Sequence, residues 1–356
     1  MVFVMSPTMD HTKPTADPEL DALLRDLYGP LAKRHHARYH SPHIPIHVIL
    51  RAFQGRPLLV PDKRFKAIAA GVLARGLVVF GSIRLFAYVA LCNHFHLEIQ
   101  GQPHEIPRFI AYLKRELTKR WRPCIDWTDT IWRRGYISTA LPTAQSQVRC
   151  FAYILSHGVK EKIVSRPEEW TGLHMAHQVV AGKTVKGEWV DGTRLGKALW
   201  KEKQKPEHKR RQPDLEKYTT RDPLELSPLP AWSGLSETER CAEIAVLVAQ
   251  IVADGEAARG GEPPLGMEHA RSLPQELRMP LPAPPWFEER RGFICWADPN
   301  APETKAYLQD YWEFQLAYRE ASNAYLKGDR DAAFPPGAFK PVVFEPFPGA
   351  EADFAA

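Results

Sequence analysis

Two spacings of apolar residues divide this chain into elements: alternation every second position, and recurrence every three to four. Ile44–Leu50 and Arg56–Val60 are β-prone runs on either side of Phe53-Gln54-Gly55 and predict a hairpin. Asp62 is placed to cap a helix over Lys63–Arg75, with Phe65, Ile68, Ala69 and Leu73 at helical spacing and Gly76 as its stop. Leu77–Phe80 and Ile83–Leu91 are β-rich, and His94–Gln100 alternates as a further strand. Ile106, Phe109, Ile110, Leu113 and Leu117 form one helical stripe, with Lys114, Arg115, Lys119 and Arg120 on the opposite side. Ile131–Leu141 predicts a strand, and Thr143 caps a helix through Val148, Phe151, Ile154 and Leu155 up to His157.

Hairpin, helix, strands, helix, strand and helix in that order predict an α+β domain, a ferredoxin-like split βαβ variant with a largely antiparallel sheet. Beyond about residue 167 the texture changes. Gly187–Gly192 reads as a small turn or hairpin, and Lys201–Pro230 is charged and proline-rich, as in a linker. Ser236 and Glu239 form a capping box opening an apolar helix through Val252. A second long helix, rich in aromatic residues, spans Thr304–Leu326 and stops at Gly328. The expected organisation is an N-terminal extension over 1–30, a domain over 31–175, a basic, proline-rich linker region over 176–235, and an acidic, mainly helical extension over 236–356.

Composition adds a partner class. The 356 residues carry a net charge of +5, but residues 31–166 hold 22 Lys and Arg against 7 Asp and Glu, together with 9 of the 14 histidines. Clustered cations bind phosphate backbones by counterion release, so a basic unit joined to an acidic remainder points toward nucleic acid. A solvated basic surface is the plainer alternative. No apolar run approaches the roughly 18 residues of a membrane span, and Met1–Asp10 lacks a signal-peptide pattern. Five scattered cysteines without CxxC spacing argue against a zinc ribbon or a disulfide framework and fit a reducing cytoplasm.

The candidate chemistry lies in three places. In Asn93-His94-Phe95-His96-Leu97-Glu98, alternate residues share a strand face, so His94 and His96 project together and can hold one divalent ion. Ordinary strand histidines are the alternative. Glu98 extends that face, either orienting an imidazole or forming a cross-strand ion pair. Tyr153 and His157 stand four apart on one helix face, where a partly buried core tyrosine and a helix-terminal histidine are the plain readings. Trp121, Trp127 and Trp132 are platforms for unpaired bases, or structural residues.

Taken in order, Asn93-His94-Phe95-His96-Leu97, then Trp132-Arg133-Arg134-Gly135-Tyr136, then the run Phe151–Val164, this sequence resembles the HUH single-tyrosine transposases. In particular it resembles the REP-associated tyrosine transposases of the IS200-like family, over roughly residues 30–175. The resemblance implies the HUH nuclease fold, with His94 and His96 as ligands of Mg2+ or Mn2+ and Tyr153 as the nucleophile. It implies single-stranded or hairpin DNA as partner, cleavage through a 5′-phosphotyrosyl link, and a possible homodimer. His157-Gly158 departs from the family's Asn-Pro. An imidazole there keeps a metal-capable donor and shifts preference toward Mn2+ or another transition ion, or it marks decay of the site. Lys114, Arg115, Lys119, Arg120 and Arg122 are the residues expected on the DNA backbone, or a solvated helix face. Phe334–Phe339 resembles the extensions of longer members. The alternatives in other classes are a non-cleaving binder of hairpin DNA or RNA, and a relaxase or replication initiator.

Overall fold

The computed structural model describes residues 37–276 and 294–341, so the expected N-terminal extension and the ends of the proline-rich stretches fall outside the described residues. Two units are present: residues 41–297, and a second formed by 37–40 with 298 onward.

Within residues 41–297, four strands form the sheet that carries the histidines: β1 (Ile46–Arg51), β2 (Arg84–Ala90), β3 (His94–Gln100) and β4 (Ile137–Ala140). Helix α1 (Lys63–Val79) joins β1 to β2, and α2 (Glu105–Trp121) joins β3 to β4. The spatial order is β2-β3-β1-β4, with every neighbouring pair antiparallel. Each strand–helix–strand unit thus straddles a strand of the other, which is the split βαβ arrangement expected. Helix α3 (Ala144–Leu155) follows and packs on β2 and β3. Phe95, Leu97 and Ile99 leave β3 on the other face and are fully buried in one core with Phe65, Leu73, Phe109 and Leu113.

The predicted caps are present. The Asp62 carboxylate accepts from the Phe65 amide at 2.7 Å, and Thr143 and Ser146 close a capping box on α3. Three expected boundaries fail for tertiary reasons. The run Arg56–Val60 does not pair with β1, whose two edges are taken by β3 and β4; its backbone instead bonds to Cys92 and to the Trp121 indole. Gly76 does not stop α1, which continues to Val79 in place of the expected strand Leu77–Phe80. A Cβ at Gly76 would lie 2.9 Å from the Phe109 ring, so this glycine serves the crossing of α1 and α2. The expected strand Ile131–Leu141 is confined to β4, because Gly135 takes φ +75° and Trp132 forms only an isolated bridge with Ala52.

The expected linker is folded. β5 (Lys186–Val190) pairs antiparallel with β6 (Thr219–Pro223), and α4 (Gly192–Lys203) starts where Asp191 caps it, so Gly187–Gly192 is not itself a hairpin. The β5–β6 ribbon rests on α1 through two glycines. A Cβ on Gly71 would sit 2.1 Å from the Glu188 carbonyl oxygen, and one on Gly187 would sit 2.5 Å from that of Ala70. An exposed helical Gly→Ala change adds about 1 kcal/mol of stability. At Gly71 the methyl meets backbone, and overpacking costs about 1–3 kcal/mol. Gly71→Ala is therefore expected to lower the urea midpoint; an unchanged or raised midpoint would mean that the ribbon yields. Helix α5 (Glu237–Arg259) begins at the predicted Ser236–Glu239 box and ends on Gly260 at φ +63°, followed by α6 (Met267–Glu276).

In the second unit, α7 (Pro302–Leu326) is the predicted aromatic helix. Tyr39 packs among Tyr307, Tyr311 and Phe314. The Gln315 amide exchanges hydrogen bonds with the Ala37 backbone at 2.7 and 3.1 Å. Phe334, in the segment expected to mark an extension, rests on Tyr318 and Tyr325. Among the described residues no helix is long and apolar enough to cross a membrane.

Candidate metal centre and tyrosine

Sheet register and one turn bring the candidate residues together. His94 and His96 leave β3 on the face covered by α3, with ring centroids 4.6 Å apart. Helix α3 ends at Leu155, so His157 lies in the turn after it rather than on the helix as expected. Gly158, at φ +89°, reverses the chain there; a proline, restricted to φ near −65°, could not. The turn carries His157 back over the sheet, its ring stacked on His96 at 4.5 Å and 5.8 Å from that of His94. The three offer ligand nitrogens within 4.8 Å of one another.

Each imidazole has one nitrogen occupied and another left over. Nδ1 of His94 lies 2.6 Å from the Asn93 amide oxygen, that of His96 lies 2.8 Å from Nε2 of His47, and that of His157 lies 2.9 Å from Glu161 Oε1. Nε2 of His96 and Nε2 of His157 are buried and meet no hydrogen-bond partner among the described residues. Orphaned buried nitrogens cost free energy unless something fills the position, and an Nδ1 contact behind an Nε2 donor is how protein imidazoles are aimed at a cation. Burial, with the neighbouring His157 charge, holds His94 down to about 3, and burial with the same neighbour keeps His96 well below the usual imidazole range. Burial also lowers His157 against the pull of Glu161. Metal ligation requires unprotonated imidazole, so these three are in the right state at neutral pH. The donor set fits a divalent transition ion, which three imidazoles favour over Mg2+.

Glu161 is the carboxylate of this centre. Burial opposes its charge, but the His157 ring, Lys160 and the Gly158 amide bring it down to about 2. Glu161, rather than the Glu98 considered from the sequence, is the carboxylate that contacts a ring of the cluster, and among the described residues Glu98 forms no cross-strand ion pair. Glu98 is wholly buried opposite His47 on β1, its carboxyl against the Cys150 thiol, and burial pushes both groups up. His47, buried behind His96, was missed by sequence reading. Its signal is the alternation His47-Val48-Ile49, which puts a histidine on the same face of the neighbouring strand, but the pairing register is needed to see it.

These groups set opposite pH slopes in metal-free protein. His47, His94 and His174 titrate near 3 in the folded chain, chiefly through burial, and near 6.5 when unfolded. The unfolded chain thus binds more protons between those values, and stability is lost as pH falls through that window, about 1.4 kcal/mol per pH unit for each histidine. Glu98 acts the other way: its raised pKa contributes stability that is complete below about 4.5 and is lost as pH rises. Three histidines outweigh one carboxyl between about 4.5 and 6.5. The urea midpoint is expected to fall as pH drops from about 6.5 to about 4.5, and Glu98→Gln, which removes the opposing slope, to steepen that fall. An unchanged fall in that variant would clear Glu98 of the effect.

Tyr153 stands beside the cluster, half-buried, with ring centroids 4.9 Å from His157 and 5.6 Å from His96. The Lys160 ammonium lies 3.9 Å from its ring centre. The five cations expected on a DNA backbone divide. Arg120 is half-buried, stacked on Trp189 at 3.7 Å and bonded to the Val190 carbonyl, so it fastens β5 to α2. Lys114, Arg115, Lys119 and Arg122 line a cleft of about 750 Å³ together with Arg133 and Arg134. Lys114 Nζ holds the rim by donating to the carbonyls of Arg133 and Gly135. The cleft borders the sheet at the His94 end, since the Arg133 amide bonds to Arg51, the cross-strand partner of His94. Trp121 and Trp132 are buried and hydrogen-bonded, hence structural; Trp127 is half-buried beneath Arg56.

No family model and no curated protein matches this chain. Among solved structures, a REP-associated tyrosine transposase bound to a REP hairpin is similar, with 16% identity and a TM-score of 0.35. The likeness spans 42% of this chain and 86% of that one. It is a distant likeness.

Proposed function

We propose that this protein is a metal-dependent single-stranded DNA endonuclease and strand transferase of the HUH single-tyrosine type. The observation carrying this reading is the convergence of three imidazoles, two with unpartnered Nε2 atoms, beside the Tyr153 ring. A divalent ion held by His94, His96 and His157 would supply Lewis-acid polarisation of a phosphodiester. Tyr153 Oη attacks the phosphorus and the bond to the 3′ oxygen breaks, leaving DNA joined to the enzyme through a 5′-phosphotyrosine. The phenol proton is lost to solvent, and the departing 3′ oxygen takes one up. Because the phosphodiester is conserved in the adduct, a 3′-hydroxyl can rejoin the strand without ATP.

Lys160, beside the phenol ring, places positive charge where a phosphate approaches. The cleft of Lys114, Arg115, Lys119, Arg122, Arg133 and Arg134 suits the closely spaced phosphates of a folded hairpin stem. The test is covalent capture: the full chain with Mn2+ and an end-labelled single-stranded oligonucleotide carrying a hairpin. A labelled band surviving denaturing electrophoresis is expected, dependent on metal and on Tyr153. Salt-sensitive binding with no adduct under any metal would replace this reading with that of a non-cleaving hairpin binder.

A further inference from the structure

A segment far from the histidines in sequence completes the surroundings of Tyr153. Ile294–Trp296 lies along the outer edge of β4: the Ala140 amide donates to the Ile294 carbonyl at 3.0 Å, and the Trp296 amide donates to that of Ala140 at 2.8 Å. Cys295 is buried by this pairing, while the Trp296 indole, half-buried, reaches the site. It meets the Tyr153 ring edge-on at 5.8 Å and 89°, and His47 at 6.3 Å. Arg149, one turn before Tyr153 on α3, places its guanidinium 5.1 Å from the indole centre. The two adjoining rings are thus each met by a cation, Arg149 on the indole and Lys160 on the phenol. Packing alone does not call for this: a segment that merely sealed the sheet edge would be served by an aliphatic residue, without a guanidinium on an aromatic ring. Aromatic faces interleaved with cations are the chemistry that seats single-stranded nucleotides, rings taking bases and cations taking phosphates.

We propose that Trp296, with Arg149 and Lys160, forms the subsite for the DNA nucleotide adjoining the phosphate attacked by Tyr153. The base stacks on the indole, Arg149 takes its outer phosphate, and Lys160 faces the reacting one. This rests on the nuclease reading above and assigns the contact that lines the strand up behind Oη.

The test uses the full chain carrying Tyr153→Phe, so that binding is read without cleavage, and a fluorescein-labelled single-stranded oligodeoxynucleotide followed by anisotropy across a salt series. Adding Trp296→Ala is expected to weaken binding by about 5- to 150-fold, the range for one lost stack. Trp296→Phe should restore most of it, because a phenyl ring also stacks. Trp296→Leu keeps apolar bulk without a stacking face and should bind like the alanine variant, which covers the case in which alanine unfolds the segment. Arg149→Ala should reduce the slope of log affinity against log salt by about one, whereas Trp296→Ala should leave it unchanged. Equal binding by the Leu and Phe variants, or an unaltered slope for Arg149→Ala, would overturn the subsite while leaving the nuclease reading intact. Tighter binding of an RNA of the same sequence would overturn the assignment to DNA. Failure of both the unsubstituted chain and the Tyr153→Phe parent to bind would bring down both.

Discussion

Tyr153→Phe is expected to abolish the covalent protein–DNA adduct while leaving oligonucleotide binding within about twofold of the unsubstituted chain. The substitution removes one oxygen from a ring whose neighbours are His157, His96, Trp296 and Lys160. None of those contacts depends on the hydroxyl, so the fold and the DNA contacts have no reason to change. Loss of a covalent nucleophile costs up to about 10⁶-fold in enzymes where it has been isolated. A capture assay would therefore show no band rather than a weaker one. Adduct persisting in the Phe variant would show that another group attacks and would unseat the reading of this tyrosine. Loss of binding together with adduct would mean that the hydroxyl positions DNA rather than reacting with it.

His96→Ala is expected to reduce Mn2+ affinity by more than about 100-fold. Residues that merely hydrogen-bond behind a ligand are worth about 10- to 100-fold in other metal sites, and His96 is the central ring of the three, stacked on His157 and edge-on to His94. The variant also strands the His47 nitrogen that contacts His96 at 2.8 Å, so stability should fall by about 1–3 kcal/mol even without metal. Calorimetric titration with Mn2+ and urea unfolding of the metal-free protein separate the two effects. Unchanged titration would remove the metal centre, whatever the unfolding experiment gave. His157→Asn should keep binding but narrow the preference for Mn2+ over Mg2+, because an amide oxygen replaces an imidazole.

Spacing along the chain was enough for helices α1, α2, α3, α5 and α7, for the caps at Asp62, Thr143 and Ser236, and for the facing of His94 and His96, because each rests on contacts between residues three or four apart or on strand alternation. The same local logic placed Tyr153 and His157 on one side of a helical segment, although His157 proved to lie in the turn beyond it. The failures share one cause. Gly76 looks like a helix stop until Phe109 is packed against it, and Arg56–Val60 looks like a hairpin arm until β3 and β4 occupy both edges of β1. The Lys201–Pro230 stretch looks like a linker until β6 finds β5 across the gap.

Residue type and order alone decided that this chain would form a basic α+β unit with a paired-histidine strand and a tyrosine helix downstream. Only the assembled structure decided that His47 stands behind His96, that Glu161 rather than Glu98 serves His157, and that Trp296 borders the tyrosine. The reason is range. A cap or an alternating strand is a bargain among near neighbours, whereas strand register and edge pairing join residues separated by tens to hundreds of positions, and nothing in local composition encodes which edge a distant segment will find.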